Sequence, residues 1–265
     1  MLNRLIIFFL TINYFLFFNA FSNDQINFDI SEIEVIEGGN KIIGKKRGTI
    51  TTDNGIIIKA DNFEYDKIKN VLKANGKISV NDKINNYFVT SENIVYLKDK
   101  EIIKVSGILN SLIFSDYNFK SQDLIILRKD KIIKSDKTST IIDEKNKTLY
   151  EIDSFSYSIQ DEILKAEEIF INTKFDQPFS DKYFFQSAMF NLKDQSYIAK
   201  DINIELRKDT FDNKENDPRF KGISSSFKNG VTTINKGIFT SCKKNDKCPP
   251  WSVQAKKITY DENKK

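Results

Sequence analysis

Cys242 and Cys248 are the only thiols in the 265 residues, and the chain contains no histidine. Without imidazole there is no Ser-His-Asp or Cys-His nucleophile pair, no HExxH zinc site and no histidine pH switch. Two thiolates alone leave the usual four-ligand zinc shell unfilled, so no metal site is expected. The 41 Lys and Arg and the 37 Asp and Glu give a net charge of +4, and they are interleaved with no basic or acidic block. A carboxylate glycosidase needs two acids facing across a cleft, and no spacing in the sequence marks such a pair. A pI of about 8.7 and 12% aromatics hint at nucleic acid, but the interleaved acids oppose a basic binding face. The expectation is a protein that is not an enzyme, carries no cofactor and binds no nucleic acid.

The remaining chemistry belongs to apolar side chains. One signature recurs six times, as apolar, x, small, x, x, apolar, x, apolar. Its copies are Ile58, Ala60, Phe63, Tyr65; Val89, Ser91, Ile94, Tyr96; and Phe119, Ser121, Leu124, Ile126. The others are Leu164, Ala166, Ile169, Ile171; Tyr197, Ala199, Ile202, Ile204; and Val253, Ala255, Ile258, Tyr260. Alternation has the period of a strand on both sides of the small residue and slips by one residue after it. A slip turns the apolar side outward unless the strand bends there, so each copy predicts a strand, a bulge or corner, and a continuing strand facing one interior.

Short runs of Ile, Val, Thr, Phe and Tyr without helical periodicity, and Asn-Gly pairs at Asn54-Gly55, Asn75-Gly76 and Asn229-Gly230, predict strands and hairpin turns. Three of the five intervals between the small residues are close to thirty, which predicts stacked units of two to four short antiparallel strands. The fold class expected is all-β, an elongated twisted β-jelly roll or folded-over antiparallel sheet. Six rungs would make an apolar trough of roughly 30 Å. Its candidate lining is Phe63, Tyr65, Ile94, Tyr96, Leu124, Ile126, Ile169, Ile171, Ile202, Ile204, Ile258 and Tyr260.

Arg4 precedes an apolar run, Leu5 to Phe18, broken only by Thr11 and Asn13, and the small Ala20 and Ser22 follow. This is the pattern of a cleaved signal peptide over residues 1–22, leaving one domain over 23–265. The run is shorter than the roughly 20 residues that cross a bilayer core. Export places Cys242 and Cys248 in an oxidising compartment, where a bridge between them would stabilise by about 2.4 kcal/mol on the chain-entropy estimate.

The segment Asp217 to Gly222, followed by Gly230 to Cys242 and Cys248-Pro249-Pro250-Trp251-Ser252-Val253-Gln254-Ala255-Lys256-Lys257-Ile258, resembles the end of the periplasmic domain of the lipopolysaccharide-assembly outer-membrane family, the LptD or OstA type. There a Thr-x-Cys, a short loop, a Trp and an Ala-x-x-Ile strand precede the membrane barrel. Earlier units such as Ile58 to Gly76 resemble the OstA-like repeats of the periplasmic bridge proteins. The resemblance implies a periplasmic, outer-membrane-associated jelly roll that conducts lipid A acyl chains. It also implies three partners: an OstA-like bridge protein joined by strand-edge pairing, an outer-membrane barrel and the barrel's plug lipoprotein. No barrel strands follow in this chain, and the family's cysteine near the mature N-terminus has no counterpart in Asn23 to Gly39. By the same resemblance Cys242 and Cys248 bond to the barrel, or exchange between that bond and a local one. The competing class is an exported structural β-solenoid or adhesin-like scaffold, which would have a dry, fully packed interior.

Overall fold

The computed structural model describes residues 26–114, 117–211, 215–245, 249–261 and Lys264. The segment 1–22 lies outside them, and so does Cys248. Apart from three short 3-10 turns, every described element is a strand. The first part of the chain gives β1 (Ile26–Ile36), β2 (Lys41–Thr52), β3 (Ile56–Ala60), β4 (Asn62–Asp66), β5 (Val71–Asp82), β6 (Tyr87–Leu97), β7 (Ile102–Phe114), β8 (Tyr117–Leu127) and β9 (Ile132–Ser135). The second gives β10 (Ser139–Asp143), β11 (Thr148–Ser158), β12 (Ile163–Asn172), β13 (Lys182–Asn191), β14 (Ser196–Glu205), β15 (Arg219–Lys228), β16 (Val231–Thr240) and β17 (Val253–Asp261).

All seventeen belong to one antiparallel sheet. β3 and β4 are two pieces of one rung, since both pair with β2 on one side and β5 on the other. β9 and β10 likewise share the place between β8 and β11. The sheet is therefore a meander of fifteen rungs, each hydrogen-bonded to its sequence neighbours, and at the ordinary strand spacing it runs for roughly 65–70 Å.

Every rung bends near its middle, and the burial pattern shows how. In β6, Tyr87, Val89 and Ser91 are buried, Glu92 and Asn93 both face out, and burial resumes at Ile94 and Tyr96. One extra residue flips the alternation while the bend turns the backbone, so both halves point the same way. The pairing records the same event as register shifts at Ile30/Glu32, Asn75/Ile78, Thr90/Asn93 and Ser106/Leu109. Left-handed backbone marks the fold line, at Gly76 (φ 79°) and Gly107 (φ 93°) in the first part and at Glu168, Asp201 and Lys236 in the second.

The sheet thus folds on itself into two layers. Layer one holds β3, β10 and the half-rungs in register with them, and layer two holds β4, β9 and theirs. Rings meet across the gap: Phe28 with Tyr65 at 6.0 Å, Phe119 with Phe155 at 5.3 Å and Phe185 with Tyr197 at 5.3 Å. The core fills this gap, and the hairpin turns of the two layers meet at the mouth opposite the fold line.

The expected all-β, folded-over antiparallel sheet is present, with two corrections. Asn75-Gly76 is not a hairpin turn but the bulge inside β5, where Gly76 takes the left-handed conformation that a fold-line bulge needs. The stacked units are instead one uninterrupted meander. The six signatures fall on β3–β4, β6, β8, β12, β14 and β17, two or three rungs apart at about fifteen residues per rung, which accounts for intervals near 30 and 45. The last interval is stretched by the connections between β14 and β15 and between β16 and β17. Asn229-Gly230 does form a two-residue turn, with φ of 53° and 77° between the paired Lys228 and Val231.

Candidate functional site

The interior between the layers differs along the meander. From β2 to β9 it is filled mainly by aliphatic side chains, with Ile50, Ile56, Ile58, Leu72, Ile103, Ile126 and Ile133 fully buried, and with Phe63, Tyr87, Tyr96 and Phe119 packed among them. The candidates Phe63, Tyr65, Ile94, Tyr96, Leu124 and Ile126 all sit in this packed part. Ile169, Ile171, Ile202 and Ile204 are buried further along, and Ile258 and Tyr260 on the last rung are half-buried.

From β10 onward partly buried aromatic rings join the buried aliphatic residues toward the mouth, and the packing opens. A cavity of about 270 Å³ lies at the mouth, lined by Tyr150, Ile171, Tyr183 and Phe185 from layer one and by Phe190, Tyr197 and Phe227 from layer two. Asp143, Asn146, Thr173, Asn191, Gln195 and Ser196 ring it with polar groups. Tyr197 is the hub of its aromatic wall, with Phe227 stacked at 5.8 Å and 14°, Phe190 at 5.8 Å and Phe185 at 5.3 Å. Of the twelve residues proposed from sequence, Ile171 is the one that lines it. Of its rings, Tyr197 was legible as the first apolar position of the fifth signature, while Tyr183, Phe185 and Phe190 were legible only as a local aromatic enrichment.

At the mouth of the packed part stands a polar cluster that no local pattern announces. Arg128, on the turn after β8, donates from Nε to Asp82 Oδ2 at 2.7 Å and from Nη2 to the Asn54 carbonyl at 2.9 Å, and its Nη1 bonds Glu101. Asn54 Nδ2 reaches Tyr96 Oη at 3.0 Å and Glu101 Oε1 at 2.6 Å, and Tyr96 donates to the same oxygen at 2.6 Å. Asp82 also accepts from the amides of Ile84 and Asn85 and from the Asn85 side chain. Asn54 lies in a layer-one turn and Asp82 ends the layer-one half of β5, while Glu101 and Arg128 lie in layer-two turns, so the cluster ties the layers together.

Asp82 has no exposed surface and Arg128 is 7% exposed. Burial pushes the Asp82 carboxyl up, but the hydrogen bonds from Arg128 and Asn85 together outweigh it and hold the group below the usual carboxylate range. Burial pushes the Tyr96 and Tyr87 phenols up, reinforced by Glu101 and Asp82 respectively. The cluster therefore holds a charged Arg, an ionised Asp and neutral phenols at neutral pH.

A groove of about 720 Å³ runs along the fold line, where Ser154, Ser187 and Ser224 alternate with Lys165, Glu167 and Lys200. Phe155, Ala166, Ala188, Met189 and Ile198 also line it, so its lining is mixed. Cys242 is half-buried beside the last connection, where its amide donates to Thr240 Oγ1 and that hydroxyl donates to the Trp251 carbonyl at 2.8 Å. Trp251 is 45% exposed and meets Phe239 edge-on at 5.8 Å. A scan against protein-family models and a search of curated proteins returned no match to this chain.

Proposed function

We propose that this chain is a periplasmic lipid-conducting domain of outer-membrane assembly. In this reading it receives lipopolysaccharide from an OstA-like bridge protein and passes the acyl chains toward an outer-membrane barrel and its plug lipoprotein. The observation that carries the reading is the aromatic cavity between the layers, open at a mouth ringed by polar groups. A methylene removed from water is worth about 0.8 kcal/mol, so a chain of a dozen carbons in water forfeits roughly 10 kcal/mol and has to be shielded throughout its passage. Aromatic faces give such shielding without directional bonds that would trap the guest. Conduction of this kind needs no reacting group.

Photo-crosslinking residues at Tyr183, Phe190 and Tyr197 should capture lipopolysaccharide in cells, and those at the outward Phe184 and Ile198, one residue out of phase, should not. Equal capture from both phases, or from neither, would reject the reading. The packed aliphatic interior of β2 to β9 favours a second reading, an exported structural scaffold, and capture from neither phase would support it.

A further inference from the structure

The cluster around Arg128 does more than fill space, because its bonds join turns that the sheet itself leaves unconnected. The turn after β2 and the turn after β5 lie on layer one, the turns after β6 and β8 lie on layer two, and no ladder hydrogen bond crosses the mouth between them. Arg128 and Asn54 supply the crossing bonds. Behind them lie the fully buried Tyr96, Ile126 and Ile133. At the other end of the meander the mouth is ringed by uncharged amides and hydroxyls with Asp143, and the cavity stands behind it. Among the described residues one interior therefore has a length fastened at its mouth by a buried ion-pair cluster and a length whose mouth carries no such cluster.

We infer that Arg128, Asp82, Glu101 and Asn54 form a releasable clasp that holds the layers closed over β3 to β9. Releasing it lets the layers part and exposes a second apolar compartment continuous with the aromatic cavity. A buried ion pair suits this role, because its bonds are strong only in the closed geometry and its charged groups are readily hydrated once the mouth opens. What the opened compartment would admit rests on the lipid reading above, and the clasp itself is tested without lipid.

The test is amide hydrogen exchange on the full mature chain, comparing wild type with Arg128→Gln and Asn54→Ala. The second variant removes crossing hydrogen bonds without stranding a buried charge, so it serves if the first does not fold. Release should speed exchange by about tenfold or more at the mouth ends of β5, β6 and β8, leave β12 to β16 at wild-type rates, and raise the fluorescence of added 1-anilinonaphthalene-8-sulfonate. Protection lost evenly over both lengths would make the cluster a plain element of global stability and overturn the inference. Unchanged exchange throughout in a folded variant would overturn it equally. Lipid crosslinking at Tyr197 reports on the lipid reading alone, so the two fail separately.

Discussion

The two lengths of this sheet share a backbone plan and differ in what fills it. From β2 to β9 the inward positions are mostly aliphatic, fully buried, and sealed at the mouth by charge. From β10 to β16 buried aliphatic residues such as Ile169, Ile202 and Ile204 are joined toward the mouth by partly exposed rings, among them Tyr150, Tyr183, Phe190 and Tyr197, and these leave a cavity. Aliphatic side chains interdigitate to near-crystalline density, whereas flat rings joined by edge and stacked contacts leave gaps where they do not meet. A repeated bend can thus build a packed core along one stretch and leave a cavity along another, where partly buried rings cluster at the mouth.

The largest effect should come from deleting volume in the two places. Ile126→Ala removes a fully buried side chain and should cost roughly 2–5 kcal/mol. Phe190→Ala, at the wall of an existing cavity, should cost about 1–2 kcal/mol, because little new void is created. Urea unfolding of both variants reads the difference, and equal losses would mean that the lengths are packed alike.

A smaller effect sharpens the role of charge. Because the folded Asp82 carboxyl lies below its unfolded value, the stability it contributes is present above about pH 4 and is lost as pH falls through the folded pKa. The urea midpoint should therefore drop between about pH 6 and about pH 3, and Asp82→Asn should remove much of that drop. An unchanged drop in the variant would assign the acid sensitivity to other carboxylates.

The smallest effect concerns the fold line. The first length turns at Gly76 and Gly107 and, in β2, at Lys46, and the second turns at Glu168, Asp201 and Lys236, so both lengths carry side chains in the left-handed region. Lys236→Gly should relieve that strain and stabilise by about 0.5 kcal/mol after the added freedom of the unfolded chain is counted. Gly76→Ala has the opposite sign, since φ is +79° and the added Cβ would lie 2.7 Å from Asp61 Oδ2. Thermal unfolding separates the two.

The bend was legible because it is written locally. Tyr87 to Tyr96 spell out the slip within ten residues, and neighbouring copies repeat it. Asn75-Gly76 misled because Asn-Gly suits any site with positive φ, and hairpin turns and bulges both supply one. The clasp stayed hidden because Asp82 and Arg128 are 46 residues apart and meet only after the sheet has folded over. Residues such as Phe63 and Leu124 could be placed on the inward face, but not on a packed or a hollow stretch of it. That distinction depends on how side chains from different rungs fit, and the alternation of a single strand carries no record of the fit.

The described rungs number fifteen, and odd parity has a geometrical consequence at the rims. β1 and β17 each run from layer one to layer two, so both outer rims of the sheet have the same polarity. A strand that extends either rim in antiparallel fashion must run from layer two back to layer one. A second copy related by simple translation along the meander would therefore bring its first rung against the last one in parallel, with slanted hydrogen bonds and a less favourable pairing. A guest sheet of opposite polarity continues the ladder without that penalty, and the rung count makes the two rims of the described sheet equivalent in direction while their side chains remain different.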